Sequence, residues 1–251
     1  VGIHVLIEKP IAATIDDALA LVDLARIRGT VLAVGHVERF NPAIIELKQR
    51  MDAGELGRIF SLHARRLGPF PPHIRDAGVI LDLATHELDV MRYLTGAEVT
   101  HVFAETQQRI HQSHEDLLLG VLRFSDDSIG VLDVNWLTPA KIRELSVTGE
   151  RGMYQANYLT QDLYYLKNDY TATNWETLRS IAGVSEGTMT RLKVQKAEPL
   201  LMEYRNFLAA VRGEEQVQVT GEDGLAALRL AFQLVEAASA QEVVACASST
   251  R

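Results

Sequence analysis

At 251 residues, 47% of them hydrophobic and 23% charged, the chain can bury a sizeable core, which excludes a disordered segment. A balance of 33 acidic against 25 basic residues gives a net charge of -8 and excludes a generic binder of nucleic acid or anionic membrane, because that attraction is electrostatic. The single cysteine, Cys246, excludes an intrachain disulfide and a four-cysteine zinc site and predicts a reducing, cytoplasmic setting, and no uninterrupted apolar run reaches the length of about 18 residues that a membrane span needs.

His4 to Ile7 form a short apolar run of the kind that fills a sheet covered on both faces. Thr14 to Arg28 repeat apolar residues at helical spacing, with Thr14 as N-cap, Asp16 and Asp17 in the first turn and Gly29 as the stop. Val31 to Val34 make a second strand ended by Gly35, so strand, helix and strand predict one parallel crossover unit. A helix follows from Pro42 to Ala53, with Asn41 as cap and Gly54 beyond its end.

The pattern then changes. Ile59 to Leu67, Val99 to Gln107, Leu117 to Phe124, Ile129 to Leu137, Ile142 to Val147 and Met153 to Tyr158 are strand-like and are separated by short turns such as Ser125-Asp126-Asp127, which predicts a run of hairpins in an antiparallel sheet. Helices are expected over Gly78 to Leu94, Glu198 to Arg212 and Asp223 to Ala240, and a polar loop or lid over Thr171 to Thr190. The predicted fold class is therefore α/β plus α+β. Residues 1–41 form the remnant of a Rossmann-type nucleotide-binding domain, and residues 42–251 form a domain with a large, mainly antiparallel open sheet packed on helices. A first strand without neighbours, in a chain opening on Val1, carries the expectation that the front of the nucleotide-binding domain has been truncated or lost to a misplaced gene start.

Chemistry concentrates at three places. Asp82 and His86 are four residues apart on one predicted helix, so a carboxylate stands beside an imidazole and can orient it as a general base. Lys9 follows the first strand, where ligands of open α/β sheets bind, and its ammonium could steady an alkoxide. The second strand leads into Gly35, His36, Val37, Glu38, Arg39, Phe40, Asn41 and Pro42 at the same sheet edge. His111, His114 and Glu115 lack a third ligand at a recognisable spacing and read as a solvated loop, so no metal is expected. An apolar face bearing Val121, Val131, Leu132 and Val134 predicts a sheet-to-sheet contact in a homo-oligomer, a dimer or tetramer.

Glu8-Lys9-Pro10, then Gly35-His36 with Arg39-Phe40-Asn41-Pro42, then Asp82 with His86 and Asp89, then Glu198-Pro199-Leu200 with Phe207 and Gly213 resemble, in order and spacing, the glucose-fructose oxidoreductase, inositol dehydrogenase and MocA family over essentially the whole chain. The resemblance implies a nicotinamide-dependent dehydrogenase, using NAD or NADP with NAD favoured. Lys9 would be the catalytic lysine, Asp82 its partner acid and His86 the base, with Glu8, Lys9, Pro10 and Arg39 at the cofactor. Residues around Gly35 to Ala43, Arg66 to Pro71 and Asn135 to Pro139 look like the branch that oxidises the 3-hydroxyl of a UDP-N-acetylhexosamine. Asn41, Arg66, His73, Arg75 and Lys141 are then candidates for the substrate, while Arg65 and Arg143 add local positive charge.

Two departures qualify this. The glycine-rich turn G-x-G-x-x-G is absent, so this chain alone is expected to bind dinucleotide poorly and to be inactive. Val79, Ile80, Leu81, Leu83, Ala84 and Thr85 also stand where the family often carries glycines. Rival expectations are an inositol or other polyol dehydrogenase, a sugar or dinucleotide sensor without turnover, and an assembly module.

Overall fold

The chain is described by a computed structural model over residues 2–72, 74, 76–168 and 187–240, with the backbone of 244–245. His73, Arg75, Cys246 and most of the expected 171–190 loop lie outside those residues.

The first unit follows the local signals. Strand β1 (Val5–Glu8) pairs in parallel with β2 (Leu32–Gly35) across helix α1 (Ile15–Arg28). Thr14 caps α1 by accepting from the Asp17 N–H at 3.1 Å, and Gly29, at φ 60°, returns its own N–H to the last turn. A 3-10 turn (Val37–Phe40) leads into α2 (Pro42–Asp52), with Asn41 as N-cap and Pro42 in the first turn.

The larger sheet has the strand order β10-β9-β8-β7-β3-β6-β5-β4-β11. Its members are β3 (Ile59–Pro69), β4 (Val99–Gln107), β5 (Leu117–Phe124), β6 (Ile129–Asn135), β7 (Leu137–Gly149), β8 (Gly152–Asn157), β9 (Asp162–Lys167), β10 (Met189–Arg191) and β11 (Val244–Ala245). The expected hairpin between β6 and β7 does not form, because β3 lies between them, parallel to β6 and antiparallel to β7. At that corner the Asn135 side-chain oxygen accepts from the N–H groups of Leu137 and Thr138 and from the Thr138 hydroxyl, turning the chain away from a direct return.

Alternation decides which face is covered. Leu118, Leu122 and Phe124 point into the core, whereas Leu119 and Val121 stay exposed. For the same reason Leu132 and Val134 are fully buried and do not share the open face with Val121 and Val131, a correction to the four-residue apolar patch expected from sequence.

Helices α3 (Thr85–Thr95) and α5 (Gly221–Ala240) cover the inner face, and α4 (Pro199–Val211) packs near the 3-10 turn. Helix α5 serves both units. Its Leu225 and Leu228 join Ile11, Ala18, Val22, Val34 and Phe40, and its Ala231, Leu234 and Ala237 join the core under the large sheet. A Cβ on Gly224 would stand 2.7 Å from a Val34 methyl, so glycine is what lets α5 approach β2 this closely. The Val34 N–H donates to the Val219 carbonyl, so the packing of the first unit draws on residues 219–228 as well as on 1–41.

Candidate active site

The helix expected over 78–94 opens with a π-helical turn, Ile80–Ala84, before α3. Its start is held from outside. Glu115 accepts the Ile80 N–H through its carboxylate at 3.0 Å and the Val79 N–H through its backbone carbonyl. A Cβ on Gly78 would lie 2.1–2.3 Å from that carboxylate, so only glycine leaves room for this cap.

Glu115 is positioned in turn by its neighbour. One carboxylate oxygen of the buried Asp116 accepts the N–H groups of Arg109, Ile110 and His111. Burial alone would raise the Asp116 pKa, but these backbone donors hold it below the usual value. His111 is buried as well, its Nδ1 accepting from Ser113 and His114, so this segment is an ordered support and not the solvated loop expected. No cluster of metal-ligating side chains occurs among the described residues.

The π turn sets the fate of the two predicted helix partners. A wider turn breaks the simple i, i+4 stacking, and Asp82 turns to Lys9 instead of His86. The Lys9 Nζ donates to the Asp82 carboxylate at 2.8 Å and to its backbone carbonyl at 2.5 Å, across 73 residues of sequence. Lys9 stands at the exit of β1, followed by a cis peptide to Pro10.

His86 has no hydrogen-bonding partner among the described residues, and its Nδ1 is sealed from solvent. It faces His36 edge-on, the ring centroids 6.4 Å apart, and the Nδ1 of His36 is equally orphaned. Burial, reinforced by Arg66, Lys9, His36 and Arg143, pushes the His86 pKa well below its ordinary 6.5. Burial lowers His36 too, against the pull of Asp89. Two neutral imidazoles therefore adjoin the Lys9 ammonium at neutral pH.

Other predicted site residues are occupied elsewhere. The Arg39 guanidinium donates four hydrogen bonds, to Asp89, Asp223 and the Gln218 carbonyl, makes a further ion-pair contact to Asp223 at 3.0 Å, and is buried. It braces the 3-10 turn against α3 and α5 and has no donor left for a cofactor. Arg66 is buried between Glu87 and Glu38, at 2.5 and 2.7 Å, over the ring of Tyr158. It reaches His86 only through its field. Asn41 caps α2 and donates to the Tyr158 carbonyl, so its polar atoms are used within the fold. Lys141 is exposed on β7, and Glu8 and Pro10 are exposed at the exit of β1.

Sequence reasoning names Arg143 only as local positive charge and His36 only as a residue of the sheet-edge motif, and it does not single out Glu203. Arg143 stands directly across from Arg66 in the pairing of β3 with β7, a relation that exists only once the register is known. Glu203 on α4 is buried, with a carboxylate oxygen lacking a partner, and burial together with the Glu8 charge pushes its pKa up to about 7.

A nicotinamide end fits these residues: the Lys9 ammonium stands at a strand exit, near the half-buried His86, which has no hydrogen-bonding partner among the described residues. A pyrophosphate end does not, because no two glycines in the chain stand two residues apart.

Comparison with known proteins bears directly on this arrangement. Residues 44–155 match the profile described as GFO/IDH/MocA C-terminal domain, and residues 1–36 match that of the oxidoreductase family with NAD-binding Rossmann fold. The chain is 30% identical to the UDP-N-acetylglucosamine 3-dehydrogenase of Acidithiobacillus ferrooxidans over 233 residues, covering 93% of this chain and 70% of that protein. Identity with the myo-inositol 2-dehydrogenase of Thermotoga maritima is 26%, over 91% of this chain and 68% of that one. A solved structure of the Acidithiobacillus enzyme, GnnA, superposes with a TM-score of 0.80 at 27% identity, covering 95% of this chain and 71% of that chain. The protein is thus an oxidoreductase of the NAD-binding Rossmann type. It belongs to the Gfo/Idh/MocA family.

Proposed function

We propose that this chain carries the proton-transfer and substrate-binding half of an NAD-dependent dehydrogenase that oxidises a secondary hydroxyl of a sugar, the 3-hydroxyl of a UDP-N-acetylhexosamine. The observation that carries it is the Lys9 ammonium, fixed by Asp82 at a strand exit, beside a neutral and unpartnered His86.

Each group has a definable task. Lys9 has three N–H donors, of which Asp82 takes two, so one remains for a substrate oxygen. His86, kept neutral by burial and by surrounding positive charge, can take the hydroxyl proton on a ring nitrogen. The cations near it lower its basicity and also favour the alkoxide left behind, so the same field acts on both partners of the transfer. Nicotinamide, when bound, supplies the hydride acceptor. Asp82 positions the ammonium, and the π turn with its Glu115 cap positions Asp82.

The nucleotide sugar is supported by the likeness to the Acidithiobacillus enzyme. An inositol or related polyol is the second reading, favoured by the likeness to the Thermotoga protein. We read residues 1–41 as the nucleotide-binding part, 42–251 as the substrate and oligomerisation part, and the open face around Leu119 and Val121 as the surface between copies.

The test is NAD reduction, followed by absorbance at 340 nm, in a protein where this chain follows a complete nucleotide-binding half. UDP-N-acetylglucosamine should give turnover, and Lys9→Met or His86→Gln should lower kcat by about 100- to 10,000-fold without loss of folding. Turnover on free polyols alone would discard the nucleotide sugar. Variants that keep wild-type kcat would discard the assigned roles.

A further inference from the structure

The large sheet places two arginines directly opposite each other, Arg66 on β3 and Arg143 on β7, both on the face that the helices cover. Like charges across adjacent strands repel, so such a pair is destabilising unless each charge is answered. Arg66 is answered by Glu87 and Glu38. Arg143 is not. Among the described residues no carboxylate lies within ion-pair distance of it.

What does hold Arg143 is backbone. Its Nη1 donates to the carbonyls of Leu67 at 2.6 Å and Ile142 at 2.9 Å, which anchors one end of the guanidinium. Nε and Nη2, which together form one edge of the planar fork, have no acceptor among the described residues. The Cβ position of Gly68 is 4.0 Å from both terminal nitrogens, so the fork lies beneath a residue without a side chain to cover it. Arg143 acts on His86 through its field, and its own charge feels Arg66 unfavourably and Glu87, Glu38 and Asp82 favourably, without an ion pair to any of them. An anchored guanidinium with one free edge is the geometry that receives a carboxylate or phosphate in two parallel hydrogen bonds.

We propose that Arg143 binds an anionic group of the substrate, a carboxylate or a phosphate, through its free Nε and Nη2 edge, and thereby orients the alcohol toward His86. This rests on the dehydrogenase assignment for the identity of the alcohol, but the anion site itself is independent of turnover. Arg143 then selects for charged sugars. Its unanswered charge in the free protein is completed by the ligand, and neutral polyols would gain nothing from it.

The experiment is isothermal titration calorimetry on the 251-residue chain without cofactor, using UDP as the phosphate probe, glucuronate as the carboxylate probe and myo-inositol as the neutral control. Arg143→Gln should weaken the preferred anion by about 10- to 100-fold, the range for a lost hydrogen-bonded charge contact. Arg143→Lys should recover part of that affinity, and inositol should be unaffected. Whichever of UDP and glucuronate shows the loss identifies the anion. The proposal is overturned if wild-type protein binds neither anion, if Arg143→Gln changes anion affinity less than twofold, or if inositol weakens to the same extent. Should Arg143→Gln fail to fold, Arg143→Lys decides, since a point charge without the fork must bind the anion more weakly than wild type. Failure of the dehydrogenase assignment would appear separately, as His86→Gln retaining turnover while anion binding by wild type is intact.

Discussion

Around Arg39 all three guanidinium nitrogens donate to oxygens of Asp89, Asp223 or the Gln218 carbonyl, and the charge is sealed in a cross-brace between three elements. Around His86 the opposite holds. Neither it nor His36 has a partner for Nδ1, and Arg143 keeps an unanswered charge. Both clusters draw on the same kinds of charged and polar side chain within one fold, yet one is closed and the other keeps groups without a partner. Polar groups left unsatisfied by the fold mark where binding is to occur, because burial without a partner is costly unless a ligand later supplies one.

The sharpest way to break this contrast is to remove one carboxylate from each cluster. Asp89→Ala leaves the Arg39 charge buried with only the partly exposed Asp223 to answer it and should destabilise the protein by about 3–5 kcal/mol. Asp82→Asn touches the more open pair with Lys9 and should cost no more than about 1 kcal/mol. Chemical denaturation of both variants is the check. Equal losses would mean that the Lys9 pair is part of the brace and not of an open site.

Glu203 offers a second separation, through pH. Its folded pKa of about 7 lies above the ordinary 4.5, because burial first and Glu8 second disfavour the charged form. Between those values the folded chain binds the proton more tightly than the unfolded chain does, so this residue makes stability fall as pH rises through that window. Glu203→Gln removes the dependence. At pH 9 the variant should be more stable than wild type by about 1–3 kcal/mol, with the difference vanishing near pH 4. Urea denaturation at the two pH values measures it, and a variant less stable at pH 9 would show that the carboxylate has a favourable partner.

What was legible in the sequence follows the range of the interactions. Helix α1 was readable because Thr14, Asp16, Asp17 and Gly29 act within a turn of it, and β4 and β5 have the expected bounds because alternation is local. The insertion of β3 between β6 and β7 depends on pairing across some 70 residues and left no local mark. Strand β9, between a turn and the undescribed segment, was not anticipated. At the site, the position of Lys9 after a strand points to the right place and the resemblance makes Asp82 its partner acid, but the π turn has no periodicity of its own, so spacing alone sets Asp82 beside His86 when it holds Lys9. Arg39 and Asn41 share a motif with the site and so read as ligand-binding in the sequence, although their donors go to Asp89, Asp223, the Gln218 carbonyl and the Tyr158 carbonyl. Arg143 could not be singled out among several surface cations until the register set it opposite Arg66.

The smallest effect sharpens the boundary of the open cluster. His86 is held below its ordinary pKa first by burial, then by Arg66, Lys9, His36 and, last, Arg143. Arg143→Gln removes the weakest of these, so the imidazole pKa should rise while remaining below 6.5, because burial and the stronger influences of Arg66 and Lys9 persist. An NMR pH titration of the ring in wild type and variant reads the change directly. A similar rise in Lys9→Met, where a stronger contributor is lost, should be larger. An unchanged His86 titration in Arg143→Gln would mean that water screens the two groups from each other, and Arg143 would then lie outside the field in which the proton moves.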